Sequence, residues 1–115
     1  MKVRDISTTA LRNKLDVHKE VPVVNVLEQE AFDKAHIPTS VHVGLESKDF
    51  VDRCEDLVDG DKSREIVVYC ASKDCDASPK AAEKLAEAGF ENVIDYEGGM
   101  KAWQEAGMSV ATGGE

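Results

Sequence analysis

Apolar positions follow two alternating rhythms along this chain. Val21-Pro22-Val23-Val24-Asn25-Val26-Leu27 and Ile66-Val67-Val68-Tyr69 are short, nearly continuous apolar runs, and Asn92-Val93-Ile94-Asp95-Tyr96 reads as another strand. Such runs suit strands covered on both faces of a parallel sheet. Val41-His42-Val43 is a briefer β-like piece. Between these runs, apolar residues recur every third or fourth position. Leu11 with Leu15 forms one such set; Phe50, Val51, Cys54, Leu57 and Val58 form a second; Ala81, Ala82, Leu85 and Ala86 form a third. Each set lines one face of a helix.

The breaks between rhythms carry their own signals. Ile6 ends a strand, and Ser7 or Thr8 offers a cap oxygen to the helix that follows. Glu28 to Ala35 is a short helix with Glu28 and Glu30 at its positive end. His36-Ile37-Pro38 stops it, because the residue before proline disfavours helix. Ser47 or Asp49 opens the next helix, and Asp59-Gly60-Asp61 closes it. Ser78 is expected to cap the helix after that, with Pro79 at its first position and Gly89 at its end. Gly98-Gly99 leads into a last short helix with Met100 and Trp103, and the tail from Ala111 to Glu115 is expected to fray. Strand alternating with helix predicts an α/β fold, a parallel sheet with helices on both faces. Sites in such sheets lie beyond the carboxyl ends of the strands.

One of those ends carries the candidate chemistry. Ile66-Val67-Val68-Tyr69 runs into Cys70, then Ala71-Ser72-Lys73-Asp74-Cys75-Asp76-Ala77, then the helix begun by Ser78-Pro79. A helix N-terminus presents unpaired amide donors and partial positive charge. Both favour thiolate over thiol, and the thiolate is the nucleophile. Cys70 is therefore the expected catalytic residue.

Composition narrows the class. A length of 115 residues argues for one domain spanning residues 1–115. The hydrophobic fraction of 42% and charged fraction of 32% fit a globular chain, and the 5% aromatic content makes the core mostly aliphatic. A net charge of −9 opposes binding to phosphate backbones or anionic lipid, so neither nucleic acid nor membrane is an expected partner. Cys54, Cys70 and Cys75 do not make an extracellular disulfide framework. No apolar run has the length of a signal peptide or membrane span, and the expected location is the reducing cytoplasm. His18, His36 and His42 lack ligand spacing to the cysteines, so no metal is expected, and no cofactor either.

The ordered set of motifs resembles the rhodanese-like domain family. Val23-Val24-Asn25-Val26-Leu27-Glu28 with Phe32, and Ala35-His36-Ile37-Pro38-Thr39-Ser40, are similar to its first half. Val67-Val68-Tyr69-Cys70 resembles its catalytic strand. Ala81-Ala82 with Leu85, Gly89-Phe90-Glu91-Asn92-Val93 and Glu97-Gly98-Gly99-Met100-Lys101-Ala102-Trp103 are similar to its second half. The resemblance runs from about Ile6 to Val110 and implies a three-layer α/β/α fold around a five-stranded parallel sheet. It also implies a sulfurtransferase: Cys70 takes a sulfane sulfur, becomes a persulfide, and passes the sulfur to a thiol or cyanide. In that reading the transferred sulfur sits among loop N–H groups from Ala71 through Ser72, Lys73, Asp74, Cys75 and Asp76 to Ala77. Such a nest stabilises an anionic sulfur.

The chain departs from the family at several places. Asn25 and Leu27 stand where an aspartate and an arginine are usual, so an ion pair is missing or replaced by a neutral arrangement. Ala35 and Thr39 flank His36-Ile37-Pro38 in place of glycines, and those turns are expected to avoid positive φ. Lys73 is the loop's only cation, and Asp74 and Asp76 outnumber it. The segment before Ser78 is longer than the usual loop. Two carboxylates at the mouth oppose a dianionic donor such as thiosulfate. A small persulfide or a protein persulfide is the better donor, and a small or protein thiol the acceptor.

Several of these residues admit a second role. Cys75 either resolves a Cys70 persulfide, releasing hydrogen sulfide and closing a disulfide, or fills loop space. Cys54 lies on an apolar stripe and packs in the core. His36 suits a structural turn better than a catalytic base, and Lys73 either steers an anion or is solvated. Trp103 belongs to the core, and Gly98-Gly99 to tight packing beside the active loop. A phosphatase or arsenate reductase on the same architecture needs an arginine fork for the oxyanion. The chain has no arginine after Arg64. A non-catalytic binding or thiol-redox sensor module using Cys70 and Cys75 is the alternative function.

Overall fold

The structure, a computed structural model, describes residues 3–18 and 20–113. Its elements run β1 (Val3–Asp5), α1 (Thr8–Val17), β2 (Val23–Asn25), α2 (Gln29–Lys34), β3 (Val41–His42), α3 (Phe50–Leu57), β4 (Glu65–Tyr69), α4 (Ala77–Glu87), β5 (Asn92–Tyr96) and α5 (Gly99–Glu105). The strands form a five-stranded sheet in the order β1-β5-β4-β2-β3. Every pairing is parallel, with Val67 of β4 registered against Val23 and Ile94. The most apolar run is thus the central strand, buried on both faces, as its composition demands.

Period-two alternation along β4 splits the core into two layers. Ile66, Val68 and Cys70 join Phe50 and Cys54 of α3 and Ala81, Ala82 and Leu85 of α4 on one face. Val67 and Tyr69 join Leu11 of α1 and Met100 and Trp103 of α5 on the other. This is the expected three-layer α/β/α arrangement. Cys54 is fully buried, and Trp103 packs in the core with Nε1 donating to the Ser109 carbonyl at 2.8 Å.

Several local expectations meet their structural counterparts. Ser7 caps α1 by accepting from the Ala10 amide at 3.1 Å. Glu28 stands before α2, and Asp49 before α3. Three expectations need correction. Thr39 does adopt positive φ, at 74°. It is the third residue of a turn closed by the Ser40 amide donating to the Ile37 carbonyl at 2.9 Å, with Pro38 before it. A type II turn requires that conformation at its third position, whatever residue stands there. Ser78 does not cap α4, which begins at Ala77 after Asp76. The Ser78 hydroxyl is instead buried and donates to Asp95 Oδ1 of β5 at 2.7 Å, because a buried carboxyl is the stronger claimant. The tail does not fray at its start. His36 and Ala111 exchange backbone hydrogen bonds at 2.9 Å each, and the Gly113 amide donates to the Asp33 carbonyl at 2.8 Å. Gly114 and Glu115 lie outside the described residues.

Candidate active site

The carboxyl end of β4 is fixed by two sets of hydrogen bonds, one through the Tyr69 side chain and one through the backbone. The Tyr69 hydroxyl, buried, accepts from Asn25 Nδ2 at 3.1 Å and from the Ile37 amide at 3.0 Å. Both of its lone pairs are then used, so its proton goes to Ser40 Oγ, 2.9 Å away. Burial, which the three hydrogen bonds only partly offset, raises its pKa and keeps the phenol neutral. Asn25 Oδ1 in turn accepts from the Leu27 amide at 2.9 Å. This is the neutral arrangement that replaces the missing ion pair, and it locks β2, β4 and the 36–40 turn together beside Cys70.

The next two residues are held by α5. The Met100 amide donates to the Cys70 carbonyl at 3.0 Å, and the Lys101 amide to the Ala71 carbonyl at 2.8 Å. That approach requires glycine at position 99. A Cβ there would stand 2.4 Å from the Cys70 oxygen and 2.9 Å from Ala71 and Ser72 backbone atoms. Gly99 therefore serves close packing against the loop, whereas a Cβ on Gly98 would meet Ala102 and the Tyr96 ring.

The loop itself is tightly turned. The Cys75 amide donates to the Ser72 carbonyl at 3.0 Å and the Asp74 amide to Ser72 Oγ at 3.3 Å. This turn folds Cys75 back onto Cys70, and the two are joined as a disulfide with Cα atoms 6.4 Å apart. Cys70 is 1% exposed, and the Cys75 carbonyl lies 3.6 Å from its Sγ. Cys75 and Ser72 are half-buried, whereas Ala71, Lys73, Asp74 and Asp76 are exposed and Ala77 is half-buried at the start of α4. In this closed form two loop amides are directed to Ser72 and not to the Cys70 sulfur. The amides of Ala71, Ser72, Lys73, Asp76 and Ala77 have no protein acceptor among the described residues. Asp76 pairs with Lys80 at 3.2 Å on the surface.

Residues outside the loop sort cleanly. His36 is buried, stacked on Phe32 with ring centroids 3.7 Å apart, and its Nδ1 bonds the Phe32 carbonyl at 2.8 Å. It is a structural histidine. Burial pushes the Cys54 thiol up to about 12, so it stays protonated and inert. Among the described residues no group of acidic, histidine and cysteine side chains could hold a metal ion. Sequence reasoning missed the Tyr69 hub and the Ser78–Asp95 tie. Their signals were polar residues, Asn25 and Asp95, inside otherwise apolar strands.

Comparison with known proteins decides the family. The sequence signature described as Rhodanese-like domain matches residues 7–106. The chain belongs to the rhodanese-like domain family. It is 35% identical over 104 residues to "Putative sulfurtransferase YtwF" of Bacillus subtilis, covering 90% of this chain and 93% of that protein. It is 30% identical over 88 residues to thiosulfate sulfurtransferase GlpE of Shewanella oneidensis, covering 76% of this chain and 80% of that one. Among solved structures, the Alr3790 protein from Anabaena aligns with a TM-score of 0.81 at 27% identity, over 94% of this chain and 80% of that chain. Rhodanese-type sulfur transfer is thus supported at the level of the family. No helix among the described residues is long and apolar enough to cross a membrane.

Proposed function

We propose that the chain is a sulfurtransferase that carries a sulfane sulfur on Cys70 once the Cys70–Cys75 bond is reduced. The supporting observation is the mounting of Cys70. It ends the central strand, its carbonyl is held by α5, and it opens a loop with unpaired amides that leads into a helix N-terminus. In the reduced loop, the Cys70 thiolate attacks the outer sulfur of a persulfide donor, and the donor thiolate leaves. An acceptor thiolate then attacks the outer sulfur of the Cys70 persulfide, and Cys70 departs as thiolate. The loop amides and the positive end of α4 stabilise the anion at each stage.

The loop selects the donor by lacking the excess positive charge that would attract a dianion. Asp74 and Asp76 are both exposed, and Asp76 is partnered by Lys80, which leaves Lys73 and Asp74 at the tip. Small persulfides or a protein persulfide suit this mouth better than dianionic thiosulfate, and a small or protein thiol is the acceptor. A cytoplasmic location fits, since disulfides there are mostly transient and catalytic. The test is a steady-state panel of thiosulfate, mercaptopyruvate and glutathione persulfide on pre-reduced protein. Turnover with glutathione persulfide, weak turnover with thiosulfate, and loss of both in Cys70→Ser is the expected pattern. Efficient thiosulfate transfer would refute the donor assignment, and unchanged activity in Cys70→Ser would refute the nucleophile.

The disulfide itself favours a second reading, a thiol-redox sensor module that binds a partner and turns over little. In that case no substrate in the panel is consumed, and only the Cys70–Cys75 redox state responds to added oxidant.

A further inference from the structure

We propose that Cys75 is a second catalytic residue, which resolves the Cys70 persulfide and makes the chain a producer of hydrogen sulfide. This rests on the proposed sulfur loading of Cys70 and adds a step to it. The step is an intramolecular displacement. The Cys75 thiolate attacks Sγ of the Cys70 persulfide, the bond between Sγ and the outer sulfur breaks, and hydrosulfide leaves. The product is the Cys70–Cys75 disulfide. No external oxidant is needed, because the sulfane sulfur takes up the two electrons.

Two observations carry the assignment. The disulfide that the step would form is the state of the loop in this structure, with a Cα separation of 6.4 Å. That lies inside the range such bonds span. The loop is folded for the approach: the Ser72–Cys75 turn, closed at 3.0 Å, brings Cys75 back over the strand end, and α4 starts only two residues later. The attacking and accepting atoms thus lie five residues apart in one short loop whose far half is folded back by this turn, so Cys75 competes with free thiols at a high effective concentration.

Exposure sets the way back. Cys70 is 1% exposed, whereas Cys75 is half-buried beside exposed Asp74 and Asp76. An external thiolate reaches the Cys75 sulfur first, forms a mixed disulfide there, and releases Cys70 as the thiolate that the next donor requires. A second thiol then frees Cys75. Over the cycle, a persulfide and a dithiol become a thiol, hydrogen sulfide and a disulfide. The acceptor chemistry is therefore that of a dithiol reductant, not of a sulfur-accepting thiol.

The experiment is a single turnover on the full-length chain, reduced and freed of reductant, with glutathione persulfide as the probe. Sulfide is measured with a colorimetric trap and the protein by intact mass and peptide mapping. The expected wild-type result is release of sulfide and a chain lighter by two hydrogens, bridged Cys70 to Cys75. Dithiothreitol then restores a second round. Cys75→Ser is expected to keep the added sulfur on Cys70 and to release only the background due to the glutathione that loading liberates. A wild-type chain that holds its persulfide as long as Cys75→Ser does would overturn the proposal and leave sulfur loading intact. A wild-type chain that neither gains sulfur nor releases sulfide, with Cys75→Ser also unloaded, would overturn both.

Discussion

Replacing Gly99 by alanine tests whether α5 holds the Cys70 loop through direct backbone contact. Two costs separate on the structure. Gly99 has φ 64°, and an alanine in the left-handed region costs about 1–2 kcal/mol. The new Cβ also falls 2.4 Å from the Cys70 oxygen, with rigid backbone as its neighbour. Overpacking of that kind costs about 1–3 kcal/mol, whether taken as compression or as lost hydrogen bonds from Met100 and Lys101. The sum is about 3 kcal/mol, a large share of the roughly 5–15 kcal/mol typical of a domain. Gly107 supplies the control, since its φ is 78° and nothing stands within 4 Å of a Cβ there. Gly107→Ala bears the backbone cost alone. In urea, with a slope of about 1–3 kcal/mol/M, Gly99→Ala should lower the midpoint by about 1–3 M, and Gly107→Ala by roughly half of that or less. The Cys70–Cys75 pair should also become more accessible to reductant in Gly99→Ala only. Equal midpoints for the two variants, with unchanged slopes, would show that the close approach carries no weight and that the loop is held by something else.

Three further outcomes follow from the same geometry. Thr39→Gly relieves a β-branched residue at φ 74°, and after the entropy that glycine adds to the unfolded chain, the urea midpoint should rise by a net stabilisation of about 0.5–1 kcal/mol. Asp95 is 3% exposed, and its carboxyl pKa is raised, first by burial, then by Glu97 and Asp5, against the Ser78 hydrogen bond. Between the ordinary carboxylate range and that raised value the folded chain holds a proton the unfolded chain has released. Stability should therefore fall as pH rises through that window, and Asp95→Asn, measured by urea unfolding against pH, should remove that fall. Cys54, with its thiol pushed up to about 12, should resist iodoacetamide at neutral pH in the folded chain and react once urea unfolds it, whereas reduced Cys75 should label readily.

The fold was legible where local pattern and tertiary demand agree. Glu65–Tyr69 and Asn92–Tyr96 are bounded by breaks and rich in β-branched residues, and both became strands. The misses occur where a distant partner outbids a local rule. Ser78 has the composition of a cap, yet Asp95, seventeen positions on in sequence and one strand over, claims its hydroxyl. Thr39 has no local reason to adopt positive φ, but the turn that delivers the Ile37 amide to the Tyr69 hydroxyl requires it. Ala111 is locally unremarkable, and only the backbone of His36, seventy-five positions earlier, gives it a partner. At the site, sequence spacing made a Cys70–Cys75 bridge conceivable without choosing it. The choice lies in the Ser72 turn, whose carbonyl and hydroxyl bind the next amides and bend the loop inward. The acidic loop and the absent arginine, by contrast, are matters of composition and could be read directly.

Whether Cys70 carries the transferred sulfur can be read directly. Peptide mapping of reduced Cys75→Ser after incubation with glutathione persulfide addresses it without interference from the second thiol. One added sulfur atom, thiol-labile, is expected on the peptide containing Cys70 and none on Cys54. Added sulfur on Cys54 alone, or an unmodified Cys70 peptide in a chain shown to be folded and reduced, would contradict it.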